Sequence, residues 1–367
     1  MTLDEIEREI SSNVSSQLNN LDFSVLDNIV KKLSEGELSI FGGSSFIDKV
    51  KEIVSGEFAT SYESLFRVLL GFVFDEVLAF LPILALLVGV AVLGSIVSSL
   101  RSGGQGGVSE LVHFVCYGVI VVIVSYIFID FVVLTTETIN LIKTQMDVVF
   151  PILLTVMTAM GGVVSANIYQ PAVLIFSNVI MQLVRLILVP LIIFSFIFTI
   201  LSNISSGIKL DKFVKFFSSS YKWIVGTSFT IFMAFLTLQG ITASVYDGVS
   251  VRTARYAIKG TVPIVGGFLG DGFDMILAGS GLIKNAVGVV GIVLLLAIVL
   301  IPIIQMVIFS LGIRLVSAVI EPICDSKISN FLYGVSKCIP MLIACILAVS
   351  FVYMIMITLI MFTANAF

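Results

Sequence analysis

The sequence predicts an all-α polytopic membrane protein. About six full spans are expected, plus two Pro/Gly-broken helical hairpins in a pseudo-repeat of ~112 residues, with a small N-terminal helical extramembrane region. Three observations carry this prediction. First, the 367 residues are 58% hydrophobic and only 12% charged, with a mean hydropathy of +1.14. A soluble domain carries about twice that charge. Second, the apolar stretches are continuous and long, unlike the short alternating segments of a membrane β-barrel. Third, Pro151 and Pro190 recur as Pro263 and Pro302 at a common offset.

The charges divide the chain. Residues 1–67 hold 12 acidic and 6 basic residues; the 300 that follow hold 12 and 14. Residues 1–70 therefore read as a polar, amphipathic-helical region outside the membrane. Leu3, Ile6, Ile10, Val14 and Leu18 share one helical face, and Leu26, Ile29, Val30 and Leu33 share another. Gly42-Gly43 breaks the chain, and Ser44 is placed to cap a third helix carrying Phe46, Val50, Ile53 and Val54. Residues 1–16 are polar and contain no apolar core of a signal peptide.

Residues 71–367 form the transmembrane domain. A span needs about 20 apolar residues at 1.5 Å each. Segments 77–100, 111–134, 223–246, 286–313 and 339–363 qualify. The run 148–201 is too long for one helix and is expected to divide at Ser165–Pro171. An offset of 112 lays 111–134 on 223–246, and the 165–171 turn on Gly279-Ser280-Gly281. Repeat units of about 111–222 and 223–334 follow, with a final span at 339–363. Pro151, Gly161, Gly162, Pro190 and Pro302 are the expected breakers. Interrupted backbone survives in a bilayer only where protein or water covers it, so the hairpins at 148–188 and 262–300 are the expected functional core. Close packing through small residues is the competing reading of the same glycines.

If each unit crosses an even number of times, loops 101–110, 202–222 and 314–338 share one side. They carry Arg101, Lys209, Lys212, Lys215, Lys222, Arg314, Lys327 and Lys337, which makes that side cytoplasmic and places the N-terminal region outside. Residues 208–222 read as an interfacial amphipathic helix whose lysines meet anionic lipid.

Catalytic chemistry finds no support. His113 stands alone, and Cys116, Cys324, Cys338 and Cys345 lack metal-ligand spacing. P-loop, GxSxG and HExxH motifs are missing. Neither an enzyme nor a cofactor is expected, and a net charge of -4 argues against nucleic acid. The ionisable residues inside apolar sequence are the candidates for a pore or polar path: Asp130, Arg185, Asp271, Asp274 and Lys284. Asp271 and Asp274 share a face if their segment is helical.

The block Asp247-Gly248-Val249-Ser250-Val251-Arg252-Thr253-Ala254-Arg255-Tyr256, then Val262-Pro263-Ile264-Val265-Gly266, then Leu282-Ile283-Lys284-Asn285-Ala286-Val287-Gly288, resembles the signature of the stage III sporulation protein AE family. Upstream, Pro151-Ile152 and the Met160-Gly161 to Gln170-Pro171 segment fit the same pattern, so the resemblance spans roughly 75–367. It implies a non-enzymatic membrane subunit of the channel, or feeding-tube, complex between mother cell and forespore, needed for forespore development. The implied partners are the other stage III proteins, AA to AH, and stage II sporulation protein Q, with a homo-oligomer also possible. The implied place is the mother-cell membrane, with the leader between the two membranes. The family's members usually start with a cleavable signal, which this chain lacks. A stand-alone secondary transporter and a membrane scaffold are the competing functions.

Overall fold

Apolar residues at helical spacing dictate helices throughout, and the computed structural model contains no other regular element among the described residues. It describes residues 14, 16–18, 21–56, 62–100, 106–204, 210–261 and 265–363. Side chains are described for these except 62–65, 98–100, 106–110, 113 and 239–276.

Three short helices lie in the N-terminal region: α1 (Ser24–Lys32), α2 (Glu35–Phe41) and α3 (Phe46–Val54). Val14, Leu18, Leu26, Ile29, Val30, Phe46 and Val50 are buried, as their periodicity predicts. The cap of α3 is Ser45, not Ser44: its hydroxyl accepts from the Asp48 N–H. Helix α2, which the apolar pattern does not announce, begins in a capping box in which Ser34 and Glu37 satisfy each other's backbone N–H. Asp27 accepts from the Phe46 N–H at 2.8 Å and so joins α1 to α3.

The membrane body follows as α4 (Tyr62–Leu100), α5 (Gly106–Ala159), α6 (Val163–Leu183), a π-helical turn (Val184–Leu188), α7 (Val189–Ile204), α8 (Asp211–Thr261), α9 (Val265–Ile320) and α10 (Ser326–Phe362). Six stretches are long and apolar enough to cross a membrane: Phe66–Val97, Phe114–Ala159, Val163–Ile204, Asp211–Leu238, Leu277–Ile320 and Ser326–Phe362. The chain is therefore a multi-pass membrane protein. Several stretches exceed 40 residues, or about 60 Å, roughly twice the hydrocarbon thickness.

Helix α9 is the mast of the bundle. It packs on α10, α5, α4 and α8, and also on α2 and α3. Much of its middle, including Leu294, Leu295, Ala297, Ile298 and Val299, is buried against its neighbours, while Leu296 keeps an exposed apolar face between them. Helix α4 runs parallel to it: Glu76 meets Gln305, Leu84 meets Gly312 and Ser95 meets Ile323. Helices α5 and α10 run antiparallel to it, through Thr135–Met306 and Gln145–Gly291 on one side and Ser310–Ser336 and Ser317–Ser329 on the other. The α4–α5, α7–α8 and α9–α10 connections consequently lie at one end.

The hairpins take another form than expected. The first reversal is at Gly161-Gly162, not at Ser165–Pro171. The Gly162 N–H donates to the Met157 carbonyl and the Gly161 N–H to the Thr158 carbonyl, both at 2.9 Å, with Gly161 left-handed at φ 87°. This is a Schellman stop. Residues 165–171 continue as helix because Ser165, Ala166, Tyr169, Ala172 and Val173 are buried at helical spacing. In the second unit Gly279-Ser280-Gly281 lies inside continuous α9. The small residues serve close packing there: Gly279 faces Val14, Gly281 faces Met160, and the Ser280 hydroxyl donates to Gln17. Pro151 and Pro302 likewise sit within unbroken helices. Membrane helices tolerate proline where neighbours re-satisfy the backbone. Pro190 follows the π turn, whose Val189 N–H reaches back to the Val184 carbonyl and widens the helix ahead of the ring. Segment 208–222 is not a separate surface helix: residues 211–222 are the first turns of α8, stacked on α7 through Phe213–Phe198 and Phe217–Phe194.

The N-terminal helices dock on the body where Gly36 meets Phe72 and Ile301; a methyl at Gly36 would come within 2.2 Å of the Phe72 ring. The left-handed stop gives a sharper test. Gly161→Ala is expected to cost about 1–2 kcal/mol, while Gly162→Ala, at φ -77°, carries no left-handed penalty and is expected to cost less. Thermal unfolding of the two variants in detergent measures the difference.

Candidate functional site

The ionisable residues singled out in the sequence separate into different environments. Lys284 is fully buried, and its ammonium donates to the Thr363 carbonyl at 2.5 Å. Thr363 ends α10, so Lys284 supplies a cation to exposed carbonyls at a helix C-terminus. The Thr363 hydroxyl donates to the Leu359 carbonyl, which leaves its oxygen to accept from Tyr169, 3.2 Å away. One cluster thus ties α6, α9 and α10 together. Lys284 is an anchor here and lines neither of the two clefts described below. Its neighbour Asn285 is half-buried.

Arg185 lies on the exposed side of the π turn, and its guanidinium donates to the Asn140 side-chain oxygen at 2.8 Å. It bridges α5 to the π turn and is not sunk in the core. A polar belt continues from there along α5. Lys143 pairs with Asp147, Asp147 accepts from Ser177, and Gln145 donates to the Gly291 carbonyl.

Asp130 belongs to a groove between α4, α5 and α9, a cavity of about 740 Å³. Phe80, Ile83 and Leu86 form its α4 wall; Asp130 and Glu137 lie on α5, with Gln305 on α9. Asp130 and Glu137 are exposed and stand two turns apart on one stripe of α5. Gln305 donates to Glu76 at 2.6 Å at the inner edge. Glu76, Glu137 and Gln305 were not singled out in the sequence. Their spacing on three separate helices has no local signature, although Glu76 ends the charged part of α4.

A second cleft opens between α7, α8 and α10 at the end where the three connections gather. Its volume is about 590 Å³, and its walls carry Lys215, Lys327 and Lys337 with Ser202, Asn203 and Asn330. Lys337 stacks over the Tyr333 ring at 3.8 Å, with Arg314 on the same ring at 5.7 Å. Asp211 also lines this cleft and accepts from the Ser202 hydroxyl at 2.6 Å.

The side chains of Asp271 and Asp274 lie outside those described, as do those of Asp247, Gly248, Arg252, Arg255, Tyr256 and Gly266; Pro263 lies outside the described backbone. The backbone at 271–274 is helical. Among the described residues no group of three His, Cys, Asp or Glu side chains is arranged to hold a metal.

The anchor reading of Lys284 separates two substitutions. Lys284→Ala removes both the buried stem and the donor to Thr363 and is expected to cost about 2–5 kcal/mol. Lys284→Met keeps the stem volume and costs less. Unfolding midpoints in detergent check the order; equal, wild-type-like stability would remove Lys284 from the framework.

Comparison with known proteins gives this architecture a family. The family model described as stage III sporulation protein AE matches residues 44–364. The stage III sporulation protein AE of Bacillus subtilis (strain 168) is 26% identical over 315 residues, covering 86% of this chain and 79% of that protein. No solved structure matches. The match runs from α3 through the whole bundle to the Lys284–Thr363 anchor, and the chain belongs to the stage III sporulation protein AE family.

Proposed function

We infer that this chain is a non-enzymatic subunit of the mother cell–forespore channel complex, and that its polar path runs along its flank, closed by a neighbouring subunit. The observation that carries this reading is Asp130. On its side of the bundle α4 is free of charge from residue 77 to 100, and the groove wall facing Asp130 is Phe80, Ile83 and Leu86. Asp130 is therefore exposed at the depth of the bilayer. A carboxylate facing lipid there costs about 3 kcal/mol. Such groups face water or protein in the assembled state.

The core supports the same reading. The axis of the described bundle is occupied by α9, and the two large cavities, one basic and one mostly apolar with Asp130 and Glu137 in its wall, open at the periphery. A self-sufficient transporter needs a polar site near the midplane between its helices. The family supplies the setting, with other stage III proteins, AA to AH, and stage II protein Q as the proposed neighbours.

Parity and charge give the orientation. The end holding the three connections also holds Lys212, Lys215 and Lys327, and is assigned to the cytoplasm. The N-terminal helices and the far ends of α5, α9 and α10 then face the space between the membranes. The membrane is the outer forespore membrane of the mother cell. Asp271 and Asp274 fall in that outer part, and the two units of about 112 residues are kept as a proposed structural repeat.

Asp130→Asn combined with Glu137→Gln tests the flank path. The double variant should accumulate to wild-type level in sporulating cells while late forespore gene expression falls severalfold. Normal expression at normal protein level would sink the reading. Solute uptake into liposomes by the purified protein alone would favour the stand-alone transporter instead.

A further inference from the structure

We propose that the cleft between α7, α8 and α10 is a binding site for a phosphate-bearing anion, with an anionic phospholipid headgroup and a soluble phosphorylated solute as its two possible sources.

The cleft brings Lys215 of α8 into one wall system with Lys327 and Lys337, which stand ten residues apart on α10. Among the described residues none of them lies within ion-pair distance of a carboxylate. The carboxylate in the cleft, Asp211, is occupied by the Ser202 hydroxyl. Asn330 adds an amide group able to donate to phosphoryl oxygens, and Asn203, whose amide donates one N–H to the Thr199 carbonyl, retains a second. The cations and amides therefore line one cleft along about 15 Å of α10, with Asp211 the carboxylate in its wall.

Position strengthens the assignment. Ser326 and Met341 both line the cleft, and they are separated by about 22 Å along α10. The cleft thus reaches from the connection end into the bundle. Its volume of about 590 Å³ is enough for some twenty waters, much larger than a lone phosphate requires. Exposed Phe213, Phe216 and Trp223 on the neighbouring turns of α8 offer apolar surface for acyl chains. Basic pockets between membrane helices on the cytoplasmic side hold headgroups in this manner. Lys337 is held against Tyr333, which fixes its head and lowers the ordering cost of closing on an anion.

The test uses the full chain, delipidated in neutral detergent and offered phosphatidylglycerol or phosphatidylcholine, with bound lipid counted by native mass spectrometry. The wild type should retain phosphatidylglycerol over phosphatidylcholine. Lys215→Gln, Lys327→Gln and Lys337→Gln together should lower that retention about a hundredfold. The matching triple Lys→Arg variant should keep it, and Lys31→Gln, Lys32→Gln and Lys51→Gln in the N-terminal region should not change it. A parallel arm titrates glycerol phosphate in phosphatidylcholine nanodiscs and follows the unfolding midpoint. A rise there without lipid preference assigns the site to a soluble phosphate ester. A wild type that shows neither response overturns the proposal, whatever the folding of the variants. So does a folded triple Gln variant that binds like the wild type.

Discussion

The contact between α9 and α10 is the constraint on which the bundle depends. At one end it is a seam of serines, Ser310 and Ser317 against Ser336 and Ser329, in which the hydroxyls of Ser310, Ser317 and Ser329 reach the opposite backbone. Such bonds contribute only about 0.6 kcal/mol each. Their small side chains bring the helices close, and that closeness gives the contact its dispersion energy. At the other end Lys284 closes the C-terminus of α10, with Tyr169 joining from α6. A helix packed against four body helices and two N-terminal ones leaves little room for a central pore, so α9 forces polar groups outward.

That displacement explains the distribution of charge. The acidic groove of Asp130 and Glu137 lies on the α4–α5 flank, and the basic cleft of Lys215, Lys327 and Lys337 on the α7–α8–α10 flank. The charge-free stretches are staggered in the same way. Those of α4 and α7 lie toward the connection end, and those of α8, α9 and α10 lie farther from it, as the Ser95–Ile323 and Tyr221–Met341 contacts fix their levels. Lysines of α8 and α10 consequently stand beside apolar turns of α7, in a cleft that water can enter. A membrane helix on its own could not hold them there; the bundle can, because the cleft gives them a polar wall.

Helix positions and the apolar faces of the N-terminal region were legible because they rest on local periodicity. The buried set Leu26, Ile29, Val30, Phe46 and Val50 follows directly from spacing. Turn positions were less legible. Ser165–Pro171 and Gly279–Gly281 carry turn composition, yet tertiary burial makes both helical, while of the expected breakers Gly161-Gly162 does stop α5, through backbone bonds to Met157 and Thr158. Asp130 was visible as an ionisable residue in an apolar run. Its partners Glu137, Gln305 and Glu76 were not, because the groove joins residues as far apart as 229 positions. Lys284 was visible for the same reason as Asp130, but whether it lined a path or closed a helix depended on where α10 ended.

The central claim is that the acidic flank faces protein in the assembled complex. A photo-cross-linking amino acid at Tyr126 or Val133, both exposed and lining the groove, tests this in sporulating cells. Adducts at these positions to another stage III protein, to stage II protein Q or to a second copy of the chain are expected, and they should vanish when the complex cannot assemble. Adducts to lipid alone, unchanged by loss of the other complex proteins, would contradict the account.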